Sequence, residues 1–139
     1  MEIKRNRKSN IQYGLHDSRI MNIEYKNRLL RFKLDKIFQY TEEQEFIYRG
    51  KIDFTECDID DCNILIFDKT VYEGSFAGKA ISLADYVKQY SNAQFEILTE
   101  GYSEYSTIYS GWIWQEGQEP VSGIINIYNT GEIIYRIDS

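Results

Sequence analysis

VSGIINIYNTGEIIYRI, residues 121–137, decides the fold class. Two runs rich in alternating apolar residues flank a short polar loop, and a period of two marks a strand with one buried face. The loop Asn129-Thr130-Gly131 supplies a glycine where a three-residue hairpin wants a left-handed residue. Val121–Tyr128 and Glu132–Ile137 are therefore expected to form an antiparallel hairpin. Pairing across the loop sets Ile127 opposite Ile133 and Ile125 opposite Tyr135, so that the apolar faces coincide.

The same period recurs upstream. Arg19–Tyr25 and Leu29–Leu34 read as a first hairpin, with Met21, Ile23 and Tyr25 of the first strand and Leu30, Phe32 and Leu34 of the second sharing its apolar face. Its turn is either Lys26-Asn27 or that of a register two residues longer, which sets Glu24 opposite Arg31; both keep the apolar faces together. In Glu45–Thr55, Phe46, Tyr48, Ile52 and Phe54 share a face, while Ile47, Arg49, Lys51 and Asp53 mostly face water. Ile64–Phe67 is continuously apolar, as in a strand covered on both faces, and Val71–Phe76 is a further candidate. Gln94–Tyr102 carries Phe95 and Ile97. Thr107–Gln115 sets Ile108, Trp112 and Trp114 on one face and Tyr109 and Ile113 on the other.

One helix interrupts this pattern. Ser82 suits an N-cap, with Asp85 three residues on, and Leu83, Tyr86, Val87 and Tyr90 form one apolar stripe before Ser91-Asn92 ends it. Such a short helix must dock on a sheet to persist. Roughly seven to nine strands with one short helix near residues 82–91 specify a mainly β (α+β) protein. The expected architecture is a curled antiparallel sheet, barrel-like or sandwich, with the helix capping one end or face. Residues 1–14 lack a period and read as a flexible basic arm, and residues 15–139 as a single β-rich domain.

Composition narrows the function classes. Aromatic residues make up 15% of the chain, with twelve Tyr, and strands favour such rings; a single Pro argues against a linker or a disordered chain. Lys4, Arg5, Arg7 and Lys8 against Glu2 leave residues 1–10 at +3, so the remainder carries −9 of the overall −6. An acidic body repels phosphate backbones, which argues against nucleic acid and for a basic partner. No apolar stretch follows the basic N-terminus, and no run approaches the roughly 18 residues of a membrane span. Two cysteines are too few for a disulfide-built fold. A cytoplasmic protein without a membrane role is expected.

Gly74-Ser75-Phe76-Ala77-Gly78-Lys79-Ala80 departs from a phosphate loop twice: three residues separate its glycines, and Ala80 stands where Ser or Thr would hold magnesium. Cys57-Asp58-Ile59-Asp60-Asp61-Cys62 lacks the second ligand pair of a zinc site. Counted as a calcium loop from Asp58, it has Asn63 where Gly is needed and Lys69 where Glu is needed. It reads as a solvated acidic turn with two partly buried cysteines. His16-Asp17 could serve as a base for Cys57 or Cys62, but Asp17 and Ser18 are also turn residues opening the first strand. No metal or cofactor is expected, and no catalytic residue is assigned. Tyr102, Tyr105, Tyr109, Trp112 and Trp114 concentrate aromatic surface; core packing accounts for them first, an interface or ligand cavity second.

Gly14-Leu15-His16-Asp17-Ser18-Arg19-Ile20, followed by Met21–Asp35, resembles the opening of a group of small bacterial β-rich proteins. These begin with a hydrophobic-His-Asp-small-x-Ile/Leu signature before a first β-hairpin, and some are similar to immunity proteins of bacterial toxin systems. The resemblance implies a bacterial source and a non-enzymatic role, and carries over no site residues. The expected function is a protein-binding module, in its narrower form an immunity-type inhibitor. Asp58, Asp60, Asp61, Tyr105, Tyr109, Trp112 and Trp114 are the candidate partner-binding residues, with Glu42, Glu43 and Glu45 as a second acidic segment. The alternative is a small-molecule-binding β-barrel with an aromatic-lined cavity. Homodimerisation is one way such a sheet covers its edges.

Overall fold

A computed structural model describes residues 1–5, 13–68 and 77–138. The expected strand Val71–Phe76 and the start of the glycine loop at 74–76 lie outside the described residues. Among those described, eleven strands and one α-helix form a mainly β protein. The strands are β1 (Glu2–Lys4), β2 (Tyr13–Gly14), β3 (Arg19–Lys26), β4 (Leu29–Tyr40), β5 (Glu45–Phe54), β6 (Asn63–Phe67), β7 (Gly78–Ser82), β8 (Gln94–Tyr102), β9 (Ser106–Trp114), β10 (Val121–Tyr128) and β11 (Ile133–Ile137). The helix α1 spans Leu83–Gln89. Every pairing is antiparallel, in the order β1-β11-β5-β4-β3-β8-β9-β10-β6-β7, with β2 pairing β4 beyond the end of β3.

The sheet is open at β1 and β7 but strongly curled. β5 and β9 stand four strands apart, about 19 Å in a flat sheet at ~4.8 Å per strand. Yet the rings of Phe54 on β5 and Tyr109 on β9 have centroids 6.5 Å apart, and Phe32 on β4 lies 6.3 Å from Tyr109. The two halves of the sheet therefore fold over one core. Leu30, Phe32, Ile52, Phe54, Phe95, Ile97, Ile125, Ile127, Ile133 and Tyr135 are all buried in it. Backbone hydrogen bonding is met along the strands, so the core itself stays predominantly apolar.

The expected terminal hairpin does not form. β10 pairs β9 on one side and β6 on the other, whereas β11 pairs β5 and β1. Both strands still turn the expected side chains inward: Ile125 and Ile127 on β10, Ile133 and Tyr135 on β11. The residues between them cross to the end of β5. Thr55 N donates to Glu132 O at 3.0 Å, Thr130 N to Glu56 O at 3.1 Å, and the buried Asn129 sends Nδ2 to Thr55 O and Glu132 O. Gly131 is used for close approach, not for a left-handed turn. A Cβ there would meet Thr55 Oγ1 at 2.3 Å and Thr55 O at 2.7 Å.

The first hairpin takes the longer register. Glu24 pairs with Arg31 and Lys26 with Leu29, and Asn27 and Arg28 occupy the turn at φ 53° and 62°, as a two-residue type I′ turn requires. A bulge at Met21 corrects the expected face. Ile20 pairs with Leu34 and Asn22 with Lys33, so Ile20 turns inward and Met21 outward. In β5, Asp53 does not face water. Its side chain is fully covered and held by Arg31 and Arg136 on the flanking strands.

The helix matches its sequence signals. Ser82 Oγ accepts from Asp85 N at 3.1 Å, and Leu83 and Tyr86 are buried. Tyr86, Val87 and Tyr90 face Ile20, Ile23 and Phe95 across a small cavity of about 120 Å³. The N-terminus differs from the loose arm expected. β1 pairs with β11 at Glu2–Arg136, Ile3–Tyr135 and Lys4–Ile134, the Met1 ammonium donates to Ile137 O, and Lys4 pairs with Glu132 at 3.3 Å. Among the described residues no helix is long and apolar enough to cross a membrane.

Candidate functional site

The acidic segment is built as a tight turn stapled from below. After β5, Glu56 takes a left-handed φ of 48°, and Cys57 bridges to Asn129. Asp58 then caps a 3-10 turn over Ile59–Asp61: its Oδ1 accepts from Asp60 N at 3.0 Å and its carbonyl from Asp61 N at 2.9 Å. Cys57 and Cys62 point inward with their sulfurs 3.6 Å apart, both as free thiols. Asp58, Asp60 and Asp61 are left pointing to solvent. The hydrogen bond between the thiols, ahead of burial, pushes Cys57 well above the ordinary thiol range. The same bond holds Cys62 below that range against the opposing effect of burial.

Beside this turn lie exposed aromatics. Ser103 and Ser106 exchange backbone hydrogen bonds that close a tight turn carrying Glu104 and Tyr105 at its tip, and Tyr105 O accepts from Asn129 N at 3.1 Å. Tyr105 meets Tyr128 edge to face at 6.1 Å, and both residues are 42% exposed. Asp61, Ser106, Ile108, Asn126 and Tyr128 line one open groove, and Asn126 Nδ2 donates to Asn63 Oδ1 at 2.7 Å. The structure thus joins the acidic turn to Tyr105 through Tyr128. Carboxylates beside exposed ring faces suit an ammonium or guanidinium group, which both attract.

The other candidates separate from this surface. Tyr109 is fully buried and cannot meet a partner; strand alternation turns it inward against Phe32, Phe54 and Tyr102. Trp112 and Trp114 are not core residues. They sit half-buried on the outer face, six residues along β9 from Ile108 in the case of Trp114, which is about 20 Å of strand. Trp114 Nε1 donates to Glu96 at 3.0 Å and its ring lies under the Arg19 guanidinium at 4.8 Å, a local arrangement of its own. Glu42, Glu43 and Glu45 lie at the tip of the β4–β5 hairpin beside exposed Tyr40, Phe46 and Ile47.

A polar cluster occupies the interior that sequence reading left apolar. A bulge between Ile97 and Thr99 turns Glu100 inward opposite Tyr109. Glu100 accepts from Leu15 N at 2.9 Å and from Tyr102 Oη at 2.5 Å. The Arg5 guanidinium lies 3.3 Å from the Tyr102 ring centroid. The buried Tyr109 and Tyr135 hydroxyls and Arg5 Nε and Nη1 lack a well-formed hydrogen bond. Burial, then the neighbouring tyrosines and Glu100, pushes Tyr102 and Tyr109 far above the usual phenol range. Period-two reading could not find Glu100, because a bulge inverts the faces beyond it. Arg5 sat in a segment with no period.

His16 pairs with Asp17 at 2.9 Å, both exposed, and Asp17 takes a left-handed φ of 66° while its N–H donates to Ile97 O. Cys57 N donates to Arg28 O at the opposite end of the β3–β4 hairpin. Eight residues of β3 separate the two places, about 25 Å, so His16 and the cysteines do not assemble into one site. Among the described residues no three His, Cys, Asp or Glu side chains converge as a metal site. No protein-family model matches the chain, and neither curated proteins nor solved structures include a significant match.

Proposed function

We propose that this chain is a protein-binding module that takes a basic partner on the surface formed by Asp58, Asp60 and Asp61 with Tyr105 and Tyr128. The observation carrying the proposal is the adjacency of an exposed carboxylate turn to an exposed, rigidly mounted aromatic pair. Each part is held by backbone hydrogen bonds of its own, so neither must be ordered at a partner's expense. Aromatic anchors supply contact area at low entropic cost, and the carboxylates steer and orient a cationic surface. The negative charge of the body acts in the same direction. The narrower form, an immunity-type inhibitor of a bacterial toxin, rests on the resemblance of residues 14–35 alone.

The test is capture of partners by the tagged protein at low and high salt, with identification by mass spectrometry, repeated with Asp60→Lys/Asp61→Lys and with Tyr105→Ala/Tyr128→Ala. A single basic partner that is released by salt and lost with both variants supports the proposal. Retention of that partner by both variants, with loss on Glu42→Lys/Glu43→Lys, would transfer the site to the hairpin tip. A partner indifferent to all three variants would refute an acidic interface.

The interior cluster favours a second reading, a small-molecule-binding site inside the curled sheet, which is open and not the closed β-barrel first expected. Arg5 and the hydroxyls of Tyr109 and Tyr135 offer donors without well-formed partners inside the curled sheet. Together with the Glu100 carboxylate they suit a small polar ligand better than an apolar one. Native mass spectrometry of the freshly purified protein tests it: a retained small molecule that disappears in Arg5→Ala supports this reading, and a bare chain mass refutes it.

A further inference from the structure

We propose that Cys57 and Cys62 are an oxidation site, a dithiol that hydrogen peroxide closes into an intramolecular disulfide across the base of the acidic turn. The two sulfurs lie 3.6 Å apart, and a disulfide forms at about 2.05 Å, so closure needs a movement of under ~2 Å. The backbone holds both residues in place from opposite sides. Cys57 N donates to Arg28 O at 2.9 Å and pairs with Asn129; Cys62 N donates to Ile59 O at 3.0 Å, and its carbonyl accepts from Leu83 N at 2.9 Å. The thiols also converge on one acceptor, Tyr128 O, at 3.4 and 3.8 Å. In the closed turn the two sulfurs are therefore held side by side.

Both cysteines are at most 1% exposed, and buried thiols are ordinarily inert. The cover is the turn Ile59–Asp61, in which Asp60 and Asp61 are exposed and Ile59 is half-buried against the core. It lies outside the sheet and is held by three hydrogen bonds: Asp60 N to Asp58 Oδ1, Asp61 N to Asp58 O, and Cys62 N to Ile59 O. Local segments open at free energies below that of global unfolding, and a transient opening of this turn is the route by which a peroxide reaches the sulfurs. A solitary buried cysteine has no partner to complete the reaction once reached; this pair does.

The reaction balances in two steps. The Cys62 thiolate attacks one peroxide oxygen, the O–O bond breaks, and the hydroxide that leaves takes up the proton Cys62 has lost, giving a sulfenic acid and one water. The Cys57 sulfur then attacks the Cys62 sulfur, the S–S bond forms and the S–O bond breaks. The departing hydroxide takes the Cys57 proton as the second water. Two thiols are oxidised and one peroxide is reduced to two waters. The product fixes the ends of the turn that presents Asp58, Asp60 and Asp61.

The native full chain is treated with hydrogen peroxide, alkylated, and read by intact mass and peptide mapping. The expected result is loss of both thiols in step, an intact mass lower by two hydrogens, a peptide linking residues 57 and 62, and full reversal by dithiothreitol. Cys57→Ser and Cys62→Ser should each abolish the linked peptide, and the wild-type reading stands even if a variant folds poorly. Thiols that resist peroxide in the native chain and react only after denaturation would overturn the proposal. So would a product whose disulfide joins two chains.

Discussion

Replacing Asp53 by Asn should remove a large part of the stability that the β4–β5–β11 region contributes. Asp53 is fully covered, and its two oxygens accept three charge-assisted hydrogen bonds: from Arg31 Nε at 2.7 Å, Arg31 Nη2 at 2.8 Å and Arg136 Nε at 2.6 Å. Asn has one acceptor oxygen in that place and turns an NH2 towards two guanidinium groups. Breaking a buried ion pair from one side costs about 3–5 kcal/mol. Arg31 and Arg136 are 29% and 39% exposed and can turn partly to water, so a cost at or just below the lower end of that range, about 2–3 kcal/mol, is expected. For a chain of this length that corresponds to a fall in Tm of roughly 6–12 °C.

The pH dependence supplies a second, independent readout. Burial alone would raise the Asp53 pKa, but the hydrogen bonds from Arg31 and Arg136 outweigh it and hold the carboxyl below its ordinary value. A group whose folded pKa is depressed stabilises the fold fully above its unfolded pKa of about 3.9 and loses that contribution as pH falls through the lower, folded value. The gap between wild type and Asp53→Asn should therefore be widest above pH ~5 and narrow as the pH drops below ~4. Urea unfolding followed by circular dichroism at a series of pH values measures it. A variant within ~0.5 kcal/mol of wild type at neutral pH, or a gap that stays constant into acid, would refute the reasoning.

Other substitutions probe the remaining structure. Gly131→Ala would drive a Cβ into Thr55 Oγ1 and O, at 2.3 and 2.7 Å, and should cost about 1–3 kcal/mol in urea unfolding; a neutral result would mean that the crossing after β10 runs elsewhere. Ser82→Ala removes the acceptor for Asp85 N and should cost about 1 kcal/mol, with increased amide exchange confined to Leu83–Gln89. Tyr109→Ala should cost about 3–5 kcal/mol as a large core deletion, while Tyr105→Ala should stay within ~0.5 kcal/mol. Equal costs for these two tyrosines would contradict their assignment to the inside and outside of the sheet.

Part of this molecule is legible in short-range pattern. Alternation correctly turned Ile125, Ile127, Ile133 and Tyr135 to one side, and separated Tyr109 and Ile113 from Ile108, Trp112 and Trp114. Alternation does not say which side holds the core: packing is the first expectation for the tryptophans, and they lie on the outer face. The helix signals at Ser82, Asp85, Leu83 and Tyr86 were sufficient because capping and stripe act within three or four residues. The acidic turn was recognisable from its composition, but its neighbours Tyr128, Ile108 and Asn126 were not, since they arrive from strands more than forty residues away.

Sequence by itself determined that this chain alternates into strands, where its one described helix begins, and that its body carries negative charge. Those are properties of the residue and its nearest neighbours along the chain. Tertiary structure alone decided the rest: that β10 and β11 lie apart, that Asp53 is sealed between two arginines, that Arg5 and Glu100 enter the interior, and that Cys57 and Cys62 touch. A strand exposes the same face to any neighbour of matching parity. The choice of neighbour is made by the curl of the whole sheet and by the buried contacts it brings together, which no local window contains.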